Sequence, residues 1–329
     1  MSTAAARRRR QRNKGAAEEA TRAKLASSLD SGDYYGALQM YRTVVSRWLK
    51  RAEAEVESGS VSGSASASSH FGKAEKTAHE GAMGLLKKGQ ASCGADLSTV
   101  LFKLWNEHRA QVDDRRKELV KELNSAFIEC LQGSDATAED KNSYYRVMRS
   151  FAEWSAKCGA YASGDPALQL LCARSKVFMG DLPSAAEHYV HAHEPKEFAS
   201  VLVKWSKMGY KSERSAFLAR AVLQLLCQEN IKDASALRSE FVSIWKHEGV
   251  ALDDPLMNVT GYLIETVQRD AAPLFKLLRD KYAPCLASDP SFAGYLDRIG
   301  RMYFNIRVQK TGMAAMMENM MSMFGAPPQ

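Results

Sequence analysis

From Asp33 to about Glu57 the apolar residues Tyr34, Ala37, Leu38, Tyr41, Val44, Val45 and Trp48 recur at helical spacing. At about 100° per residue they fall within one third of the circumference, and Tyr35, Gln39, Arg42, Ser46 and Lys50 face outward. The pattern predicts a helix with a packed inner face and an available outer one. A shorter helix precedes it, over about Glu18 to Leu29, ended by Ser31-Gly32. The helical period resumes at about Gly72 and runs to Lys88, then from Ala95 through Leu97, Leu101, Leu104 and Trp105, and from Val112 to Leu131 up to a break at Gly133-Ser134-Asp135. Tyr144, Val147, Met148, Phe151 and Trp154 mark the next helix, and Phe198 to Met208, Ala216 to Leu226 and Leu237 to Trp245 mark later ones. Asp165-Pro166, Asp254-Pro255 and Asp289-Pro290 read as helix starts, since Asp accepts from free backbone N–H groups and Pro suits the first turn. No stretch alternates with period two, although Ile306 to Gln309 could be a short strand or a loop.

One skeleton appears twice. Gly32-Asp33, three residues, Ala37, three residues, Tyr41 returns as Gly180-Asp181, Ala185 and Tyr189. In a stacked helical hairpin Gly closes the first helix, Asp caps the second, Ala sits where two backbones approach, and Tyr fills the gap one turn on. With about fourteen helices in pairs of about 35 to 45 residues, the expectation is an all-α fold, a right-handed α-solenoid of stacked TPR-like helical hairpins. A helical bundle around one core is the alternative. Ser58 to Ser69 is Gly, Ser and Ala, too poor in apolar residues to fold, and reads as a flexible insertion reaching to about residue 71.

Charge narrows the partners. The chain has 329 residues and a net charge of +7, but Arg7, Arg8, Arg9, Arg10, Arg12 and Lys14 supply six of it, so the body is close to neutral. Residues 1–17 read as a disordered basic arm, and no specific nucleic acid is expected along the helices. No apolar run approaches the roughly 18 residues needed to cross a bilayer. The six cysteines have no CxxC or metal-finger spacing and lie in or beside helical stretches, which points to free thiols in a reducing compartment, the cytosol.

Chemistry is sparse. Gly72-Lys73-Ala74-Glu75-Lys76-Thr77 lacks the order of a phosphate loop and has no strand before it. His188 and His191, at i and i+3, with His193, Glu187 and Glu194, form the one local set of metal-ligand types, without a HExxH motif or a Cys partner. No nucleophile elbow occurs. No catalytic residue, cofactor or metal is therefore expected. Near the end, Met313, Met316, Met317, Met320, Met321 and Met323 with Phe324 form a soft apolar stripe, which reads as an adaptable contact with another hydrophobic helix, as packing on the last hairpin, or as a disordered end.

Several motifs resemble one family in order. Gly32-Asp33-Tyr34-Tyr35, Ala37 and Gln39 to Thr43 look like the amino-terminal motif of the Golgi-to-ER traffic protein 4 family, the adaptor of tail-anchored membrane protein targeting. Gly89-Gln90 with Ala95 to Leu97, Ala221 to Gln224 with Leu226-Cys227 and Asn230, Tyr282 with Pro284 and Leu286, and Tyr295 to Gly300 with Phe304 are similar to its later motifs. The insertion at 58–69 departs from the family, which continues there with helix. The resemblance implies a non-catalytic helical adaptor. Its amino-terminal half, residues 18–160, docks a homodimeric targeting ATPase. Its carboxyl-terminal half, residues 161–310, holds a ubiquitin-like-domain protein, and 311–329 is the Met-rich tail. Cargo would pass from an upstream chaperone to the ATPase on this platform, through raised effective concentration.

Combined with the helical wheel, the resemblance points to Tyr35, Gln39 and Arg42, helped by Arg22 and Lys24, as the ATPase-docking face. Phe292, Tyr295, Ile299 and Tyr303 form one stripe, core or partner groove, and with Arg298 mark the ubiquitin-like partner region; Asp297, Arg298 and Arg301 point away from the stripe. The competing readings are a helical-repeat scaffold subunit of a regulatory-particle or signalosome-like assembly, and an RNA-associated helical-repeat protein.

Overall fold

A computed structural model describes residues 19–21, 23–60, 68–132, 137–250 and 253–306. The basic arm, Arg22, the middle of the Ser/Gly insertion, Gly133 to Asp135 and the Met-rich tail lie outside the described residues. The fold is all-α and of the helical-solenoid class, with no strand among the described residues. Among the described residues fifteen α-helices follow in order: α1 (19–21 and 23–30), α2 (Tyr34–Glu57), α3 (Ser69–Lys87), α4 (Ala91–Glu107), α5 (Asp114–Gln132), α6 (Ala138–Cys158), α7 (Pro166–Phe178), α8 (Leu182–Tyr189), α9 (Pro195–Ser206), α10 (Arg214–Leu226), α11 (Ile231–His247), α12 (Pro255–Gln268), α13 (Ala272–Lys281), α14 (Ala283–Leu286) and α15 (Pro290–Phe304).

The expected start signals hold. Asp165, Asp254 and Asp289 each cap a helix with Pro in its first turn, accepting from the backbone N–H of Ala167, Met257 and Ser291. α3 is the exception, since it begins at Ser69 and not at Gly72. Ser68 caps it by accepting from His70 N, so the low-complexity segment ends three residues early.

The repeated skeleton is a repeated turn. Gly32 and Gly180 both have φ near +80°, and after each the Asp N–H reaches back five residues, Asp33 to Ser28 O at 3.1 Å and Asp181 to Lys176 O at 2.9 Å. This left-handed closure satisfies carbonyls at a helix end that would otherwise lack a donor. The same turn recurs at Gly89, Arg109, Glu229, Gly249 and Asp270, three of them without glycine. One device thus ends helix after helix, among them the consecutive α3 and α4 and the consecutive α10, α11 and α12.

The chain divides into two compact units, Met1–Asp181 and Leu182–Gln329. Within the first unit α7 packs on α5 and α6, where Tyr144 Oη donates to Asn124 at 2.6 Å and hydrogen-bonds Ser175 Oγ at 2.8 Å. Burial drives the Tyr144 hydroxyl to a higher pKa than usual. The core of the first unit is aromatic, with Trp105 on Trp154 at 4.5 Å, Phe102 on Phe151 at 5.8 Å and Phe127 on Tyr144 at 5.1 Å. In the second unit Tyr189 stacks on Phe198 at 5.4 Å, and α10 packs against α11, α12 and α15.

Two glycines of α3 separate close packing from chance. A methyl on Gly81 would lie 2.6 Å from both Tyr41 Cδ1 and Leu97 Cδ2, whereas one on Gly72 meets nothing within 4 Å. Gly81→Ala is expected to lose stability, because overpacking of about 1–3 kcal/mol outweighs the roughly 1 kcal/mol that Ala gains over Gly in a helix. Gly72→Ala should gain up to about 1 kcal/mol from that same propensity. Urea titration of both variants checks the opposite signs.

Candidate functional site

The outer face of α2 is set by its cap. Asp33 Oδ1 accepts from Gly36 N at 2.9 Å, and a methyl on Gly36 would fall 2.0 Å from Asp33 Oδ2, so a side chain there would push the Asp33 carboxylate out of its capping position. With the start fixed, Ala37, Leu38, Tyr41, Val45 and Trp48 turn inward, and Tyr35, at 69 % exposure, turns out with Gln39 and Arg42. Arg42, Thr43, Ser46, Arg47 and Lys50 line an open depression of about 440 Å³ on this helix. Lys24 is exposed on the separate helix α1. The structure therefore brings Tyr35, Gln39 and Arg42 onto one stripe that presents a phenol ring beside cationic groups.

On α15 the stripe Phe292, Tyr295, Ile299 and Tyr303 packs toward the chain itself, with Tyr295 and Tyr303 partly buried. Phe292 and Ile299 are fully buried, so neither can touch a partner. Tyr295 Oη accepts from Gln224 Nε2 at 3.1 Å, and Tyr303 Oη donates to Leu226 O at 3.0 Å, with burial pushing the Tyr303 hydroxyl up to about 12. The neighbours that cover the stripe are α10 and α13, which the helical period of α15 alone does not reveal. Asp297 faces Arg279 at 2.7 Å and is half-buried, while Arg298 and Arg301 are exposed. Arg298 borders a cleft of about 290 Å³ with Glu187, His191 and Tyr295. The first turn of α15 is anchored by Asp289, which pairs with Arg220. Against burial, which raises it, the hydrogen bonds from Arg220 and Ser291 hold the Asp289 carboxyl below its ordinary value.

The histidine set does not assemble. α8 ends at Tyr189, so His188 and His191 share no helix face. His193 takes a left-handed φ of 56° and its Nδ1 lies 3.0 Å from Asp233, while burial, reinforced by the His193 charge, pulls the His191 imidazole down. Among the described residues no group of three or more His, Cys, Asp and Glu is placed to hold a metal. Residues 72–77 lie inside α3 and form no loop.

Two features escape the sequence pattern. Glu75, within those six residues, is buried in an ion network with Arg116 and Trp105. On α13, Leu274 and Leu277 are 39 % and 58 % exposed at i and i+3, while Phe275 and Leu278 turn inward. The signal for the α13 pair is its apolar surplus on a short helix, visible only once the inner face is known.

The family model described as Golgi to ER traffic protein 4 matches residues 68–324. The chain belongs to the Golgi to ER traffic protein 4 family. A homolog of that name from Dictyostelium discoideum is 28 % identical over 306 residues, 92 % of this chain and 89 % of that protein. The Homo sapiens homolog is 29 % identical over 307 residues, 91 % and 84 % of the two chains. Protein GET4 of Arabidopsis thaliana is 26 % identical over 324 residues, 92 % and 94 % of the two. The solved structure titled "Crystal structure of C. therm. Get4" matches with a TM-score of 0.73 at 22 % identity, covering 94 % of this chain and 96 % of that one, which bears on the fold. Membership of the Golgi to ER traffic protein 4 family places the chain in the GET pathway as a helical adaptor. Among the described residues no helix is long and apolar enough to cross a membrane.

Proposed function

We propose that this protein is a non-catalytic cytosolic adaptor that hands tail-anchored membrane proteins from an upstream chaperone to a targeting ATPase. In this reading the first unit docks the homodimeric ATPase through Tyr35, Gln39 and Arg42, with Lys24 and Arg22 adding charge. The second unit holds a ubiquitin-like-domain partner around α15, where Arg298 is the contact and Tyr295 and Tyr303 shape the surface from within. The observation that supports it best is Tyr35. Its ring is 69 % exposed, on the side of α2 away from the buried Ala37, Leu38, Tyr41 and Val45, and it shares a helical stripe with Arg42. Tyr and Arg are the residue types that anchor protein interfaces. In the second copy of the skeleton, Pro183, Glu187 and Val190 stand at the places of Tyr35, Gln39 and Arg42, so these residue types differ where the Gly, Asp, Ala and Tyr of the skeleton repeat.

Titration of the ATPase against the full chain tests the docking face. Arg42→Glu is expected to weaken binding at least tenfold, about 1.4 kcal/mol, while leaving capture of the ubiquitin-like-domain protein unchanged. Unaltered ATPase affinity would remove Arg42 from the face.

A further inference from the structure

Lys207-Met208-Gly209-Tyr210-Lys211, in the turn between α9 and α10, places two large apolar side chains where folding does not cover them. Met208 is 75 % exposed and Tyr210 77 %, more than Tyr35. The turn itself is well held. Met208 N–H donates to Trp205 O at 3.0 Å, and Glu213 N–H donates to Tyr210 O at 3.0 Å. A methyl on Gly209 would lie 3.4 Å from the Phe217 ring and 3.3 Å from Glu213 Oε2, so the backbone between the two side chains lies close on α10. An anchored backbone with both neighbours turned outward is a tip and not a loose end. Apolar surface that a fold holds in water marks a contact site.

The surroundings of the tip are basic. Lys207 and Lys211 flank it, and Lys204 and Lys246 are exposed on the last turns of α9 and α11. Beneath them Trp245 is buried, with Arg214 Cζ 4.1 Å and Lys207 Nζ 5.4 Å from its ring centroid, which ties the end of α11 to the turn. A cation–π contact orients a charge without neutralising it. The acids in contact with this turn are each engaged. Glu213 Oε2 accepts from Tyr210 N–H at 3.4 Å, Glu248 pairs with Lys207, and Asp254 accepts from Met257 N–H at 3.0 Å and contacts Ser215 Oγ.

We propose that this tip is a peripheral membrane contact that seats on an anionic bilayer surface. Tyr210 would lie at headgroup level, where an aromatic body and a polar hydroxyl are both accommodated, and Met208 would reach the edge of the acyl region. Lys204, Lys207, Lys211 and Lys246 would meet lipid phosphates and carboxylates, with their stems along the apolar side chains. A bilayer fits better than a peptide, because the two side chains project from a turn and neither lines the clefts beside Arg298 and Phe217. Two inserted side chains and a few charges give weak, reversible attachment, so the contact would position the protein at a membrane and not anchor it there. The inference is independent of the roles assigned to Arg42 and Arg298.

The test uses the full chain carrying Arg7→Ser, Arg8→Ser, Arg9→Ser and Arg10→Ser, so that the basic arm does not bind lipid in place of the tip. Co-sedimentation is measured with vesicles of phosphatidylcholine containing about 30 mol % phosphatidylserine and with vesicles of phosphatidylcholine alone. Partitioning is expected to favour the anionic vesicles and to fall with added salt. It is expected to drop at least about fivefold in Met208→Ser with Tyr210→Ser, and as much in Lys204→Glu with Lys211→Glu. All four side chains are exposed, so the urea midpoints of both double variants should match the parent. Two results would overturn the proposal: no partitioning once the arm arginines are gone, or undiminished partitioning in either double variant. Loss of ubiquitin-like-domain protein capture in the Met208→Ser, Tyr210→Ser chain with lipid binding intact would make the tip a protein contact instead.

Discussion

Removing the Glu75 carboxylate should cost about 3–5 kcal/mol, more than any surface change in the protein, because it breaks an ion pair that is almost wholly out of water. Glu75 is 1 % exposed and accepts from Trp105 Nε1 at 2.7 Å and Arg116 Nε at 2.6 Å, with Arg115 Nη1 at 3.2 Å at the outer edge. Three helices, α3, α4 and α5, meet at this one side chain. In Glu75→Ala the indole N–H loses its acceptor and the Arg116 guanidinium keeps only Asp113 at 2.8 Å and Gln111 O at 3.3 Å. The double replacement Glu75→Leu with Arg116→Met removes both charges together and should recover most of the loss, since the cost lies in an uncompensated buried charge and not in the absence of the pair. Urea unfolding of the full chain, following the transition of the Met1–Asp181 unit, reads both values. A loss below about 1 kcal/mol in Glu75→Ala would mean that water reaches the site.

Glu75 also marks where sequence reading stops. In the run Lys73-Ala74-Glu75-Lys76 it looks like one more solvated charge, because a helix in isolation gives no sign of which polar residue another helix will cover. The turn device shows the same limit. Where glycine occupies the left-handed position, at Gly32, Gly89, Gly180 and Gly249, the residue type announces the closure; at Arg109, Glu229 and Asp270 it does not, and only the packing of the next helix imposes it. The outward sorting of Tyr35, Gln39 and Arg42 was legible because α2 is long and its apolar stripe is nearly continuous, which leaves the helix phase unambiguous. α15 has an equally clear stripe, yet phase alone cannot tell whether the chain or a partner covers it.

That ambiguity gives the second large expected effect. The helical stripe leaves Phe292 as core or partner groove, and in the folded chain it is fully buried. Phe292→Ala should therefore destabilise the Leu182–Gln329 unit by about 3–5 kcal/mol through lost burial and an unfilled cavity, whether or not any partner is present. Arg298→Glu should do the reverse. Its side chain is exposed at the rim of the cleft beside Glu187 and His191, so the unfolding midpoint should move by no more than about 0.5 kcal/mol, as for other surface changes. Affinity for a ubiquitin-like-domain protein should fall at least tenfold in the same variant if Arg298 is the contact. Measuring unfolding and binding on both variants separates the two roles that one helical stripe had merged. A Phe292→Ala protein of native stability would put the residue back at the surface, and an Arg298→Glu protein of native affinity would move the contact to another face, for which Leu274 and Leu277 of α13 offer the exposed apolar pair.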